Sequence, residues 1–483
     1  MRSLAKNSLF NIIYKCSSVI FPLLMAAYVS RILSPDGVGR VASAQNIATY
    51  FTLLAALGLP TYGAKIIAAT GNNKNLDKAF SELFIINALS TTFCWIAYYT
   101  VVFMIPYFHE QRILYCVTGL LIIFNYINID WFYQGREEYR YIMERSLVVR
   151  VFSLIFVFLF VRTAEDYVIY AMVLTLSKAA NYIFNIFNLR KTISFSFTGL
   201  NLRQHLKPVF VLLATSLAIE VYTLADTTML SFMCGERSVG FYTTANKGIS
   251  VAKMLITSVI GVFLPRLSYY YAHRDIKQFN RLSNMGFKIL LLLTIPAAIG
   301  VYLIAEDVTV VLYGADFMPS AIITKIFTLS IITVGFSSFI GNQILVTIGK
   351  EKFIFFSVLV GAVVNIILNF FLIRLYAQNG AAIASVITEL CVTCVQMFSL
   401  KGKVSLNLRP KFILSILLGS IFMIVCILVV QQIVINTGFR LICSLIAGAI
   451  GYFIINIIFK NELVIQGIGM IKKKILDTFD NPA

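Results

Sequence analysis

The residues in this chain that could do chemistry are ionisable side chains set inside apolar runs. Lys15, Lys178, Lys247 and Lys253, together with Glu220, Asp226 and Glu389, each stand in a stretch that otherwise reads as hydrocarbon. A charged side chain at the centre of a bilayer costs a few kcal/mol, so it is kept only where it pairs or faces a water-filled path. A lysine so placed pairs with one of the three carboxylates or lines a route for an anionic substrate. Lys178 is close enough to the end of its run to reach the interface instead. The carboxylates are the groups whose titration could couple transport to an ion, because burial raises a carboxyl pKa toward neutrality.

Polar residues around these charges fall in stripes at helical spacing. Asn7, Asn11, Lys15, Ser18 and Pro22 are four, four, three and four residues apart. Further along, Ser216, Glu220, Thr223, Thr227 and Ser231 share a face with Asp226 beside it, and Asn246, Ser250, Lys253 and Thr257 share another beside Lys247. Shorter stripes run Thr175, Lys178, Asn181, Asn185, Asn188 and Glu389, Thr393, Gln396. The uncharged members equally suit hydrogen bonding between neighbouring helices. Asp130, one turn from a basic loop, reads as interfacial.

Nothing in the sequence is set up to break a bond. GNQILVTIGK has the wrong spacing for a phosphate-binding loop, and His109, His205 and His273 are scattered in loops. Cys391-x-x-Cys394 falls mid-helix without further ligands, and the remaining cysteines are dispersed in apolar runs like small core residues. The expectation is a non-enzyme with no metal and no cofactor.

These residues must be positioned by membrane helices. Of 483 residues, 59% are hydrophobic and 13% charged, which is too apolar for a water-soluble surface. A net charge of +18 could suggest a nucleic-acid partner, but the basic residues recur in short clusters between apolar runs rather than in one patch. The runs predict about fourteen spans, each of roughly 20 residues. They lie near 8–30, 41–63, 81–104, 112–134, 146–163, 166–189, 208–232, 239–264, 285–305, 319–346, 353–375, 380–399, 412–434 and 439–459. Even-numbered connections carry clusters such as Arg136/Arg140/Arg145 and Arg266/Arg274/Lys277/Arg281, whereas odd-numbered ones carry mostly a single Arg. By the positive-inside rule both termini, with Arg2/Lys6 and Lys472/Lys473/Lys474, are cytoplasmic. Lys15 interrupts the first run, which continues to Ser30 and so reads as a retained span rather than a secretory signal.

The chain also repeats itself. The first extracytoplasmic turn, RILSPDGVGR at 31–40, returns as CGERSVGFYTTAN: Gly39 aligns with Gly240, Ser43 with Thr244, Ala44 with Ala245 and Gln45 with Asn246. QGREEYRYI from Gln134 likewise matches IGKEKFIFF from Ile348, and the same offset lays DYVIYAMVLTL on GAAIASVITEL. Both copies of each loop fall on one side of the membrane, so the repeat is parallel. The expected organisation is a six-span lobe at 1–200, a second at 201–400, and spans thirteen and fourteen with a basic tail at 401–483.

Residues 30–68, SRILSPDGVGRVASAQNIATYFTLLAALGLPTYGAKIIA, resemble the N-terminal signature of the polysaccharide transporter family. These are the Wzx-type O-antigen or oligosaccharide flippases of the superfamily that also holds the drug and toxin exporters. The loops YQGREEYRYI and TIGKEKFIFF, the span count and the repeat extend the likeness. The resemblance implies an all-α polytopic protein of the bacterial plasma membrane, with two six-helix lobes around a cavity lined by spans one, two, seven and eight, plus two C-terminal helices. It implies alternating access that moves an undecaprenyl-diphosphate-linked oligosaccharide from the cytoplasmic to the outer leaflet, for O-antigen, capsule or exopolysaccharide synthesis. A monomer working beside polysaccharide polymerase machinery is expected.

On that reading Lys15, Lys247, Lys253 and Lys178 are cavity cations that offset desolvation of a diphosphate. Asn11, Gln45, Asn46, Thr49 and Asn246 would be polar walls for the sugars, and the hairpin at 31–40 would open and close the outer mouth. Relatives often carry Arg where this chain has Lys, so several point-charge contacts replace one bidentate fork. Three alternatives stay open: a cation-coupled multidrug exporter of the same fold, a flippase for the peptidoglycan precursor, and a membrane glycosyltransferase or polymerase. The first expects carboxylates in the N-terminal lobe where span one has Lys15, and the last a larger outer loop than that around Glu306–Asp316.

Overall fold

The computed structural model describes residues 2–70, 74–189, 193–196, 198–400 and 409–469. Apolar runs in hydrocarbon must satisfy their backbone internally, and a helix does so within one segment. The helices are α1 (Arg2–Ala56), α2 (Leu59–Thr70), α3 (Lys74–Met104), α4 (Arg112–Phe124), α5 (Asp130–Gly135), α6 (Tyr139–Phe160), α7 (Tyr167–Leu189) and α8 (Arg203–Cys234). They continue as α9 (Glu236–Gly261), α10 (Phe263–Ala272), α11 (Ile276–Tyr313), α12 (Met318–Ser338), α13 (Glu351–Ser399), α14 (Pro410–Ile433) and α15 (Thr437–Ile458). Among the described residues, nine helical segments are long and apolar enough to cross a membrane.

Fourteen separate helices do not result, because two of the expected span boundaries are single-residue breaks inside one helix. Expected spans one and two share α1, broken at Ser34 (φ 59°, ψ 171°) just before Pro35. Expected spans eleven and twelve share α13, broken at Ala377 (φ 46°, ψ −127°). One residue in the left-handed region turns the chain, so no loop is needed. Expected span four is split into α4, a short turn at Asn125–Ile127, and α5, while α12 runs on into a π-helical turn at Phe339–Leu345.

The chain forms two compact units. The first holds Met1–Thr243 with Asn365–Ala381, so it includes α8 and the first turns of α9. Its core gathers Phe80, Leu83, Trp131, Phe132 and Tyr133, with the Phe80 and Trp131 rings 5.4 Å apart. Phe152, Phe156 and Phe160 of α6 are exposed, as side chains facing lipid should be. The second unit holds Thr244–Val364 with Ala382–Ala483. There Ile416, Met423 and Ile427 of α14 and Tyr452 of α15 pack with Leu292 and Ile304 of α11, and Tyr452 Oη donates to the Leu292 carbonyl at 2.8 Å.

Candidate functional site

The best-built polar centre of the first unit surrounds Asp226. This carboxylate is 5% exposed and accepts hydrogen bonds from Asn365 Nδ2 at 2.9 Å, Asn369 Nδ2 at 2.6 Å and the Tyr242 hydroxyl. Asn365 and Asn369 lie one turn apart on α13, so both amides reach the same face, and Asn369 Nδ2 also donates to Asn365 Oδ1 at 3.0 Å. Donors to an ionised carboxylate are roughly twice as strong as neutral pairs, which suits a charge held away from water. Asn369 Oδ1 is buried and meets no donor among the described residues. With the Asp226 carboxylate it supplies the kind of oxygen that a proton or a hard cation takes.

The other two candidate carboxylates are placed differently. Glu220, half-buried on α8, accepts from the Thr223 hydroxyl at 3.1 Å. Glu389, half-buried on α13, belongs to the second unit, where its carbonyl accepts from the Thr393 hydroxyl at 2.7 Å.

Lys15 and Asn11 have side chains outside the described residues. Lys178 is exposed on α7, and Lys247 is half-buried on α9. Neither has a carboxylate beside it among the described residues, so the expected ion pairing is not what holds them. Lys253 stands on α9 with its ammonium 5.6 Å over the Phe327 ring, a cation–π contact.

The candidate polar walls divide. Asn46 is buried and its Nδ2 donates to Thr228 Oγ1 at 2.6 Å and to the Leu224 carbonyl at 3.2 Å, joining α1 to α8. Gln45 and Thr49 are half-buried, with the Thr49 hydroxyl spent on the Gln45 carbonyl at 2.7 Å. Asn246 is exposed.

Three polar clusters escaped the sequence reading. Asp130, expected at the interface, is paired: Arg145 Nη1 lies 3.1 Å from its Oδ1, Asn185 Nδ2 lies 2.6 Å from the same oxygen, and Arg145 also bonds Asn185 Oδ1. Arg150, halfway along α6, donates to the Tyr14 carbonyl at 3.1 Å and to Ser17 Oγ, its guanidinium 5.0 Å over the Tyr14 ring. His205, expected in a loop, is buried at the start of α8; its Nε2 is 2.8 Å from Glu82 Oε2 and its Nδ1 is 2.9 Å from the Tyr62 hydroxyl. Asn-x-x-x-Asn at 365–369, and Arg145 and Arg150 of α6, were visible signals, since polar side chains one turn apart, or charges, inside an apolar run ask for partners.

The repeated hairpins meet each other. Ser34 (φ 59°, ψ 171°) precedes the second half of α1, and Gly235 (φ 80°, ψ 176°), its counterpart in the alignment of Gly39 on Gly240, precedes α9 with nearly the same backbone. A Cβ on Gly39 would overlap the Glu236 carbonyl oxygen and lie 2.9 Å from Gly240 N. A Cβ on Gly240 would overlap the Pro35 carbonyl oxygen and lie 3.2 Å from Pro35 Cα. In the second unit, an apolar groove of about 450 Å³ runs between α9, α11, α14 and α15, lined by Leu255, Val259, Pro296, Gly300, Gly448 and Phe453.

Comparison with known proteins places this arrangement. A family model described as polysaccharide biosynthesis protein matches residues 4–271. A candidate O-antigen transporter of Shigella dysenteriae is 23% identical over 405 residues, covering 82% of this chain and 100% of the relative. Among solved structures, the lipid II flippase MurJ in an inward closed conformation superposes with a TM-score of 0.78 at 20% identity, covering 94% of this chain and 99% of that one. An inward-facing multidrug resistance MATE family transporter of the MOP superfamily gives 0.62 at 13% identity, covering 79% and 93%. At these identities the two structures speak for the fold, an all-helical membrane architecture of the MurJ and MATE kind.

Proposed function

The chain belongs to the polysaccharide biosynthesis protein family, and from that premise we propose that it is a flippase for a lipid-linked oligosaccharide, feeding surface polysaccharide synthesis. The observation that carries this reading is the match over the whole length of a candidate O-antigen transporter. The cargo is an undecaprenyl-diphosphate-linked sugar unit, moved from the cytoplasmic to the outer leaflet of the bacterial plasma membrane. No bond is made or broken.

The finer reading gives fourteen spans in two six-helix lobes plus α14 and α15, with both termini cytoplasmic. It is supported by the charge alternation, the helix breaks at Ser34 and Ala377, and the matched backbone at Ser34 and Gly235. Lys15, Lys247 and Lys253 neutralise the diphosphate as it crosses. Lys247 suits the task because no carboxylate beside it among the described residues already uses its charge. Gln45 and the exposed Asn246 offer hydrogen bonds to sugar hydroxyls and Thr49 Oγ1, its proton given to the Gln45 carbonyl, can only accept one, whereas the Asn46 amide is spent on joining α1 to α8. Asp226 couples the cycle to a proton or cation. The apolar groove of the second unit suits the polyprenyl chain, which gains by leaving its tail in a hydrocarbon-lined channel. The chain acts as a monomer that delivers its cargo to polymerase machinery.

The test is export of surface polysaccharide by cells in which Lys15→Ala or Lys253→Ala replaces the native chain. Each variant should reach the membrane in normal amount, lose export and accumulate the lipid-linked unit. Full export by both removes the role assigned to the cations.

A further inference from the structure

We propose that Gly39 and Gly240 are the positioning residues of an outer closure. The reciprocal seat they form holds the extracytoplasmic ends of α9 and of the second half of α1 together in one state of the transport cycle, and it must part in the other. This inference rests on the flippase reading and its membrane orientation, and it deepens that reading by naming the contact that changes.

Reciprocity is the first support. Gly39 sits against the Glu236 carbonyl, and Gly240 sits against the Pro35 carbonyl. Pro35 and Glu236 occupy equivalent places, each the residue after a left-handed break, at Ser34 and at Gly235. The two hairpins therefore meet as an isologous pair, each offering a carbonyl to the other's glycine. Only glycine permits so close a backbone approach, since a methyl group on either Cα would occupy the carbonyl's space.

Separability is the second. Around the seat, Arg237 Nε and Asp36 Oδ2 lie 4.0 Å apart with both side chains at least half exposed, and Gln111 Nε2 reaches Glu236 Oε1 at 3.5 Å. The exposed Arg237–Asp36 pair holds weakly, and the Gln111 contact is at the long limit of a hydrogen bond. The carbonyl contacts are of the Cα–H···O type, individually second-order. Each helix also starts beside its own pivot, so it can swing without bending its body. A tight but weakly bonded seat between two pivoted helices is the form of a contact made and broken repeatedly.

Asp36 and Arg237 give the test. In the full-length chain in cells, Asp36→Cys combined with Arg237→Cys is treated with a short bis-methanethiosulfonate. Each thiolate attacks a sulfenyl sulfur and releases methanesulfinate, so the linker joins the hairpins through two disulfides and needs no oxidant. Linked protein should lose export and accumulate the lipid-linked unit, and dithiothreitol should restore both. Adding Gly39→Ala to the same double variant should lower the yield of linked protein while its amount in the membrane is unchanged. Continued export by fully linked protein, or an undiminished yield with Gly39→Ala, overturns the closure. Failure of the flippase reading shows separately, as an unchanged lipid-linked pool when the native chain is depleted.

Discussion

Asn369 Nδ2 lies 2.6 Å from Asp226 Oδ1, and the amide that makes this bond belongs to a helix some 140 residues further along the chain. The bond ties α13 to α8 through a carboxylate that is 5% exposed, and Asn369 Oδ1 meets no donor among the described residues. Two amides of α13 and the Tyr242 hydroxyl of α9 converge on this acid of α8, so a change at the carboxylate would be felt by three helices.

Asp226→Asn should abolish export while leaving the protein in the membrane, because the shape survives and the charge does not. Asn369→Leu should cost about 1–3 kcal/mol of stability through the lost donor. Thermal unfolding of the purified protein and surface polysaccharide in cells read the two effects separately. An Asp226→Asn variant that exports normally would take the coupling role away from this residue.

Arg145 and Asp130 should behave as structure. Arg145 is buried, and Asp130→Asn removes its counter-charge. The loss should be about 2–3 kcal/mol, below the ~3–5 for a wholly buried pair because the Asp130 side chain keeps some access to water. A lowered Tm with export retained in the cold is the expected result.

Lys253 should need its charge more than its shape. Lys253→Arg is expected to retain most export, since a guanidinium also stacks on the Phe327 ring, while Lys253→Met should lose it. Equal export by both variants, measured as surface polymer per inserted protein, would make the residue a packing element.

Gly240→Ala and Gly261→Ala form a matched pair on α9. The first adds a methyl where the Pro35 carbonyl stands, and the second adds one where nothing lies within 4 Å. Export should fail for Gly240→Ala and continue for Gly261→Ala at equal membrane levels.

Much of this was legible in the sequence. The all-helical membrane architecture follows from the apolar runs and basic loops, and the alignment of Gly39 on Gly240 pointed to the two hairpins. The sequence could not show that the two aligned glycines touch, because a repeat fixes correspondence and not contact. Ser34 and Ala377 fall in the connections expected between spans one and two and between spans eleven and twelve; what the sequence could not show is that one residue in the left-handed region turns the chain there without a loop. Asp226 stood out as an acid in an apolar run, yet its partners Asn365 and Asn369 come from a distant helix, and nothing in the sequence pairs them with it. His205 looked like loop because it sits in a polar stretch, and its burial depends on Glu82 reaching it from α3.

The most direct measurement is the pool of lipid-linked oligosaccharide in cells depleted of this protein, taken together with the polysaccharide at their surface. The account predicts that the lipid-linked unit accumulates in the cytoplasmic leaflet while the surface polymer disappears. An unchanged lipid-linked pool with an intact surface would contradict it.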